Sequence, residues 1–129
     1  DILTISEHPV IFSHTGVFTL VQGDRYLGDD DIKAIASKEG VIGIWPNGSG
    51  LPSVDDMAKH IAYVRDLVGI KHVGIGSDLR GMGQYSDGFG DEANFLGIVD
   101  ALRRHGFDDT SIELVMGGNF TRVWEVVTK

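Results

Sequence analysis

Val41-Ile42-Gly43-Ile44-Trp45 is a short apolar run held between two stretches of helical periodicity. Upstream, Asp29-Asp30-Asp31 offers an N-cap and negative charge where free backbone N–H groups favour anions. Ile32, Ile35 and Ala36 then form an apolar stripe, and Gly40 is the expected stop. Downstream, the loop 46–52 carries Asn47-Gly48 and Ser49-Gly50 and opens into a helix starting near Ser53 or Val54. That helix places Val54, Met57, Ala58, Ile61, Val64, Leu67 and Val68 at mostly three- and four-residue spacing. The run between the two helices therefore reads as a strand.

The same reading extends outward. Pro9 starts an extended element, and Val10-Ile11-Phe12 is apolar without alternation, as in a strand covered on both faces. His14-Thr15-Gly16 ends it, and residues 15–28 form a loop with Gly16, Gly23, Gly28 and Arg25. After Gly69 a third strand spans 72–77. Strand, helix, strand, helix, strand, with helices long enough for crossovers, implies a parallel α/β arrangement. A glycine-rich loop follows at 80–90, then a helix from about Asp91 carrying Phe95, Ile98, Val99 and Leu102. Asp108-Asp109 caps a short segment, Thr110 to Met116. Asn119 is the candidate N-cap of a last helix that buries Phe120, Val123, Trp124 and Val127. The segment before His8 reads as the last turn of a helix. Three parallel strands do not close a barrel and leave two unpaired edges. The chain is thus a small three-layer domain or one segment of a larger fold.

Composition narrows the function. The 129 residues match one domain, with 42% hydrophobic content for a core. A net charge of −8 argues against a nucleic-acid or anionic-membrane surface, which needs a positive footprint. Without cysteine, thiolate nucleophiles and cysteine-ligated zinc are excluded, while His, Asp and Glu remain for an N/O metal site. No apolar run is long enough to span a membrane. A soluble protein is expected, with the cytoplasm favoured. Beginning at Asp1 without a signal-like pattern, the sequence is a mature start, an expression boundary or a cut within a longer protein.

Two polar residues stand at strand ends, where an α/β enzyme presents ligands and proton carriers. His14 is a metal ligand or a core-edge histidine satisfied by Ser13 or backbone. Asp78 follows Gly74, Gly76 and Ser77, and either handles a proton near a metal-bound water or starts a turn. Arg25 either pairs with the Asp29-Asp30-Asp31 cluster or holds a substrate carboxylate with its planar fork. Arg80 is a weaker candidate of the same kind. His8, His60, His72 and His105 read as structural. No zinc-protease helix, P-loop or nucleophile-elbow pattern occurs, and Gly81-Met82-Gly83 lacks the context of a dinucleotide site.

Taken together, Pro9-Val10-Ile11-Phe12-Ser13-His14-Thr15-Gly16, Gly40-Val41-Ile42-Gly43-Ile44, His72-Val73-Gly74-Ile75-Gly76-Ser77-Asp78 and Gly117-Gly118-Asn119-Phe120-Thr121-Arg122-Val123-Trp124-Glu125 resemble the C-terminal part of the membrane (renal) dipeptidase-like zinc peptidases. The resemblance covers nearly all 129 residues. It implies the C-terminal part of a (β/α)₈ TIM-type barrel of amidohydrolase type, a single partial domain over residues 1–129, with a two-zinc centre that cleaves dipeptides. By the same resemblance His14 matches a ligand of the second metal, Arg25 the arginine that holds the dipeptide carboxylate, and Asp78 the aspartate that handles the proton.

The resemblance also marks what is different. The family's early His-x-Asp pair, bridging glutamate and a preceding strand-end histidine have no counterpart here, so the isolated chain is expected to be inactive and to need the missing barrel segment or a complementary chain. A homo-oligomer is the other assembly that open edges allow. Where the family continues Ser-Asp-Phe-Asp-Gly, this chain reads Ser77-Asp78-Leu79-Arg80-Gly81. Arg80 reverses a pocket charge, and Trp45 and the Gly23-Asp24 loop reshape the site, which points to a modified dipeptide or another small amide as substrate. The competing reading is a catalytically inert binding or interaction domain derived from the same fold. An unrelated small α/β binding protein is the third.

Overall fold

The computed structural model describes residues 2–89 and 95–129. Its elements, in chain order, are α1 (Ile2–Ile5), β1 (Ile11–Thr15), α2 (Asp29–Ser37), β2 (Val41–Ile44), α3 (Val54–Val68), β3 (Val73–Ile75), α4 (Phe95–Arg104), α5 (Asp109–Glu113) and α6 (Asn119–Val127). A 3₁₀ turn, Ile70–His72, precedes β3, and a wide turn, Leu114–Gly118, joins α5 to α6. The expected start of a helix at Asp91 lies outside the described residues. No described helix is long and apolar enough to cross a membrane.

The strands form one parallel sheet in the order β1-β2-β3. β2 is central and buried along its whole length, because α2, α3 and α6 pack against it and strands flank it on both sides. β1 departs from expectation. Ile11 and Phe12 point to opposite faces of the sheet, as neighbours on a strand must, yet they are 43% and 38% exposed. Neither face of that end of β1 is covered, although its sequence is as apolar as that of β2.

Glycine lets the sheet curl. A Cβ on Gly43 would collide with the Ser13 carbonyl oxygen and stand 2.9 Å from the Gly76 Cα, and one on Gly76 would stand 2.9 Å from the His14 Cα. Two strands that flank β2 thus approach each other across it, and only bare backbone at 43 and 76 permits this. The curl carries the residues after β1 and β3 toward one mouth of the sheet.

Helix ends show where local chemistry was read correctly and where it was not. Ser53 caps α3 in a reciprocal box, its Oγ accepting from Asp56 N–H at 3.2 Å while its own N–H donates to Asp56 at 3.1 Å. The cap of α2 is Gly28, not an aspartate; Asp29, Asp30 and Asp31 all lie in the first turn. There they complement the helix dipole, and Asp29 accepts from the Tyr63 hydroxyl at 3.0 Å. At the other end of α2, Glu39 rather than Gly40 takes the positive φ, +55°. Asn119 does not cap α6, because the preceding turn already continues into that helix. Its buried amide instead donates to the carbonyls of Ile70 and Val73 at 2.7 and 2.8 Å, tying α6 to the start of β3. Val123 of α6 is buried as expected, but Trp124 is 68% exposed and Val127 is exposed with it.

Candidate functional site

β1 ends in Ser13-His14-Thr15 at the mouth of the sheet. Arg25 Nη2 lies 3.0 Å from His14 Nε2. A guanidinium has no acceptor, so arginine donates and Nε2 receives. A neutral ring then carries its proton on Nδ1, which donates to Ser13 Oγ at 2.9 Å. Both nitrogens of His14 are therefore engaged and the ring orientation is set.

Arg25 is exposed, but its backbone is not loose. Thr15 Oγ1 donates to the Arg25 carbonyl at 2.8 Å. The base of the loop is closed by Leu27 N–H on Gly16 O at 3.0 Å and Phe18 N–H on Leu27 O at 2.9 Å. Val17 N–H, in the same loop base, donates to His60 Nδ1 at 2.9 Å. His60 is 2% exposed, and burial pushes its pKa down to about 4, so it is a neutral acceptor near neutral pH. It belongs to the apolar stripe of α3 with Met57, Ile61 and Val64, at the three- and four-residue spacing that gave the signal for its burial.

Trp45 follows β2 and extends the ladder, its N–H donating to Thr15 O at 3.0 Å. Its indole is buried, with the Arg25 Cζ 4.7 Å above the ring centroid and the His14 ring 5.3 Å away. Tyr26 meets it edge-on at 6.4 Å. The Tyr26 ring sits where a side chain on Gly50 would collide with its hydroxyl. Trp45 was expected from the sequence to reshape the site, while Tyr26 was not singled out; the glycines at 16, 23 and 50 all stand against the Tyr26 ring.

Asp78 lies two residues past Gly76, with φ +41°, and its carbonyl accepts from Gly81 N–H at 3.0 Å. The turn reading of Asp78 is thus correct for its backbone, while its side chain helps wall a cleft of about 470 Å³ with Arg25, Trp45, Asn47, Ser49 and Gln84. His14 lines a neighbouring cleft of about 410 Å³ with Ile11, Phe12, Ser13 and Arg25. Arg25 belongs to both. The three expected residues are accordingly gathered at one mouth, with Arg25 between the other two. Arg80 is exposed outside the Asp78 cleft, its N–H donating to the Tyr85 hydroxyl.

His72 and His105 serve the scaffold, while His8 is exposed. His72 Nδ1 is 2.9 Å from Gly40 O, and His105 Nε2 is 3.1 Å from Asp55. A catalytic zinc needs about three protein ligands, and no three His, Asp or Glu side chains cluster to hold a metal among the described residues. By themselves these residues do not fit a metal centre; His14 is a single donor.

Comparison with known proteins adds the context that the geometry lacks. The family model described as membrane dipeptidase, peptidase family M19, matches residues 1–129. An uncharacterised dipeptidase of Schizosaccharomyces pombe is 32% identical over 97% of this chain, and the dipeptidase verJ of Clonostachys rogersoniana is 33% identical over 98%. The chain spans about a third of the length of these curated relatives, 32% and 34%. Among solved structures, the probable dipeptidase PvdM of Pseudomonas aeruginosa superposes with a TM-score of 0.91 at 21% identity, over 98% of this chain and 46% of that one. A metallo peptidase of Rhodobacter sphaeroides, liganded with a phosphinate mimic of the dipeptide L-Ala-D-Ala, gives 0.89 at 23% identity, over 97% and 38%. The three parallel strands and their helices are thus part of a TIM-type dipeptidase fold, and the chain belongs to the membrane dipeptidase family, peptidase family M19.

Proposed function

We propose that the complete protein hydrolyses the amide bond of dipeptides or closely similar small amides, and that this chain contributes part of the substrate site and the proton-transfer group. The observation that carries this is Arg25, which bridges the His14 and Asp78 clefts at the mouth of the sheet. Its planar fork suits a free carboxylate, which would anchor one end of a dipeptide. Asp78, across the same cleft, is the group to take a proton from the attacking water and return it to the leaving amine. Zinc is the cofactor in this reading, with His14 as the one ligand contributed by the described residues; its Nε2 would give up the hydrogen bond from Arg25 to bind the metal. The other donors would come from the part of the relatives' length that this chain does not span, and residues 1–129 would be inactive alone.

The noncatalytic alternative, a binding domain of the same fold, draws support from the single metal donor among the described residues and from Arg80 where the family carries an acid. The deciding experiment measures zinc content and alanyl-alanine hydrolysis of the complete protein before and after His14→Ala. Reduced zinc and lost turnover are expected. Unchanged stoichiometry with unchanged turnover rejects His14 as ligand, and absence of hydrolysis by the zinc-loaded native protein favours the binding domain.

A further inference from the structure

The Arg25 guanidinium has little to hold it. It is exposed, and its hydrogen bond to His14 uses one of five N–H donors. What lies beneath it is the Trp45 ring, 4.7 Å from Cζ to centroid. That ring is 4% exposed and braced by the Tyr26 edge and the His14 ring, so it is the fixed member of the pair. Trp45 Nε1 is buried with no hydrogen-bond partner. Leucine or phenylalanine would fill the position without burying an orphan donor, so packing alone does not account for an indole. The large, electron-rich face does, because it attracts a cation more strongly than any other aromatic ring.

We propose that Trp45 is a positioning residue for substrate recognition: its indole face holds the Arg25 guanidinium between the two clefts, so that a free carboxylate meets an arginine already aimed. The proposal rests on the reading of Arg25 as the carboxylate clamp. Preorganisation of this kind acts on binding, since the side-chain freedom that the substrate would otherwise have to remove is already restricted. Its loss raises KM for substrates that use the clamp and leaves those that do not use it unaffected.

Two measurements test it. In the complete protein with Trp124→Phe, Trp45 is the only tryptophan that this chain contributes. Its emission, taken as the difference between proteins with and without Trp45→Phe, should change on Arg25→Ala, and an unchanged spectrum overturns the contact. Kinetics on alanyl-alanine and its C-terminal amide then test the consequence. Trp45→Leu should lower kcat/KM for the free acid by roughly 3- to 10-fold more than for the amide, mostly through KM, with Trp45→Phe recovering much of the difference. Equal losses on both substrates, or no loss on either, overturn the proposal. Arg25→Ala is the control for the underlying reading: if it fails to distinguish acid from amide, the clamp itself falls. If it distinguishes them and Trp45→Leu does not, only the platform falls.

Discussion

Arg25 and Tyr26 are neighbours in one loop and are held by opposite means. Arg25 stays in solvent and is aimed by what surrounds it, whereas Tyr26 is seated in a socket that side chains at 16, 23 and 50 would fill. Gly50→Ala therefore forces the Tyr26 ring out from beside Trp45. Overpacking of this kind costs about 1–3 kcal/mol, read as a lower urea midpoint at unchanged slope, and an unchanged midpoint would show that the socket is not tight. The clamp makes a second prediction. Charge-assisted hydrogen bonds are worth about 1.5–3 kcal/mol, so Arg25→Ala should cost roughly 10- to 100-fold in kcat/KM on alanyl-alanine and far less on its amide. That His14, Arg25 and Asp78 share one mouth was legible because strand ends and the loop after a strand lie together in a parallel sheet. The edge-on contact of Tyr26 with Trp45 was not, because nothing in residue spacing says which glycine faces which ring.

At the scale of elements, α3 supports the site loop through a buried hydrogen bond as well as through shared core packing. Val17 N–H on His60 Nδ1 requires the neutral imidazole, since a protonated ring has no acceptor there. Folding lowers the His60 pKa from its ordinary 6.5 to about 4, principally by burial. The folded state then binds fewer protons than the unfolded state between those values, so stability is fully present above about pH 6.5 and is lost as pH falls toward 4. The loss is on the order of 3 kcal/mol. His60→Gln keeps an acceptor for Val17 and removes the titration, so its denaturation midpoint should vary less between pH 7 and pH 4 than that of the native protein. Equal pH dependence would show that His60 does not carry it. The cap of α3 is separable: Ser53→Ala removes the acceptor for Asp56 N–H and should cost about 1 kcal/mol at any pH in that range. The start of α3 near Ser53 was legible because helical periodicity is local. Asn119 was misread for the complementary reason, since the amide that makes asparagine a good N-cap equally suits a buried clamp between Ile70 and Val73, and only the tertiary structure decides.

For the whole molecule the informative contrast is between β1 and β2. Both open on apolar residues; β2 is buried throughout, and β1 leaves Ile11 and Phe12 exposed on opposite faces. An apolar run shows that a strand is meant to be covered without saying by what, which is why its exposure could not be read from sequence. β1 is also an edge, with unpaired backbone groups along the side away from β2. Apolar side chains together with an open edge form a template for further pairing. A polypeptide restricted to residues 1–129 should therefore associate in a concentration-dependent way, with light scattering giving a mass that rises with concentration and hydrogen exchange showing weak protection of β1 at low concentration. In the complete protein, whose relatives are about three times as long as this chain, the same β1 amides should exchange slowly. A monodisperse 129-residue monomer with cooperative unfolding and protected β1 amides would mean that the sheet needs no further strand. The placement of His14, at the end of that edge strand, would then have to be explained without a continuing barrel.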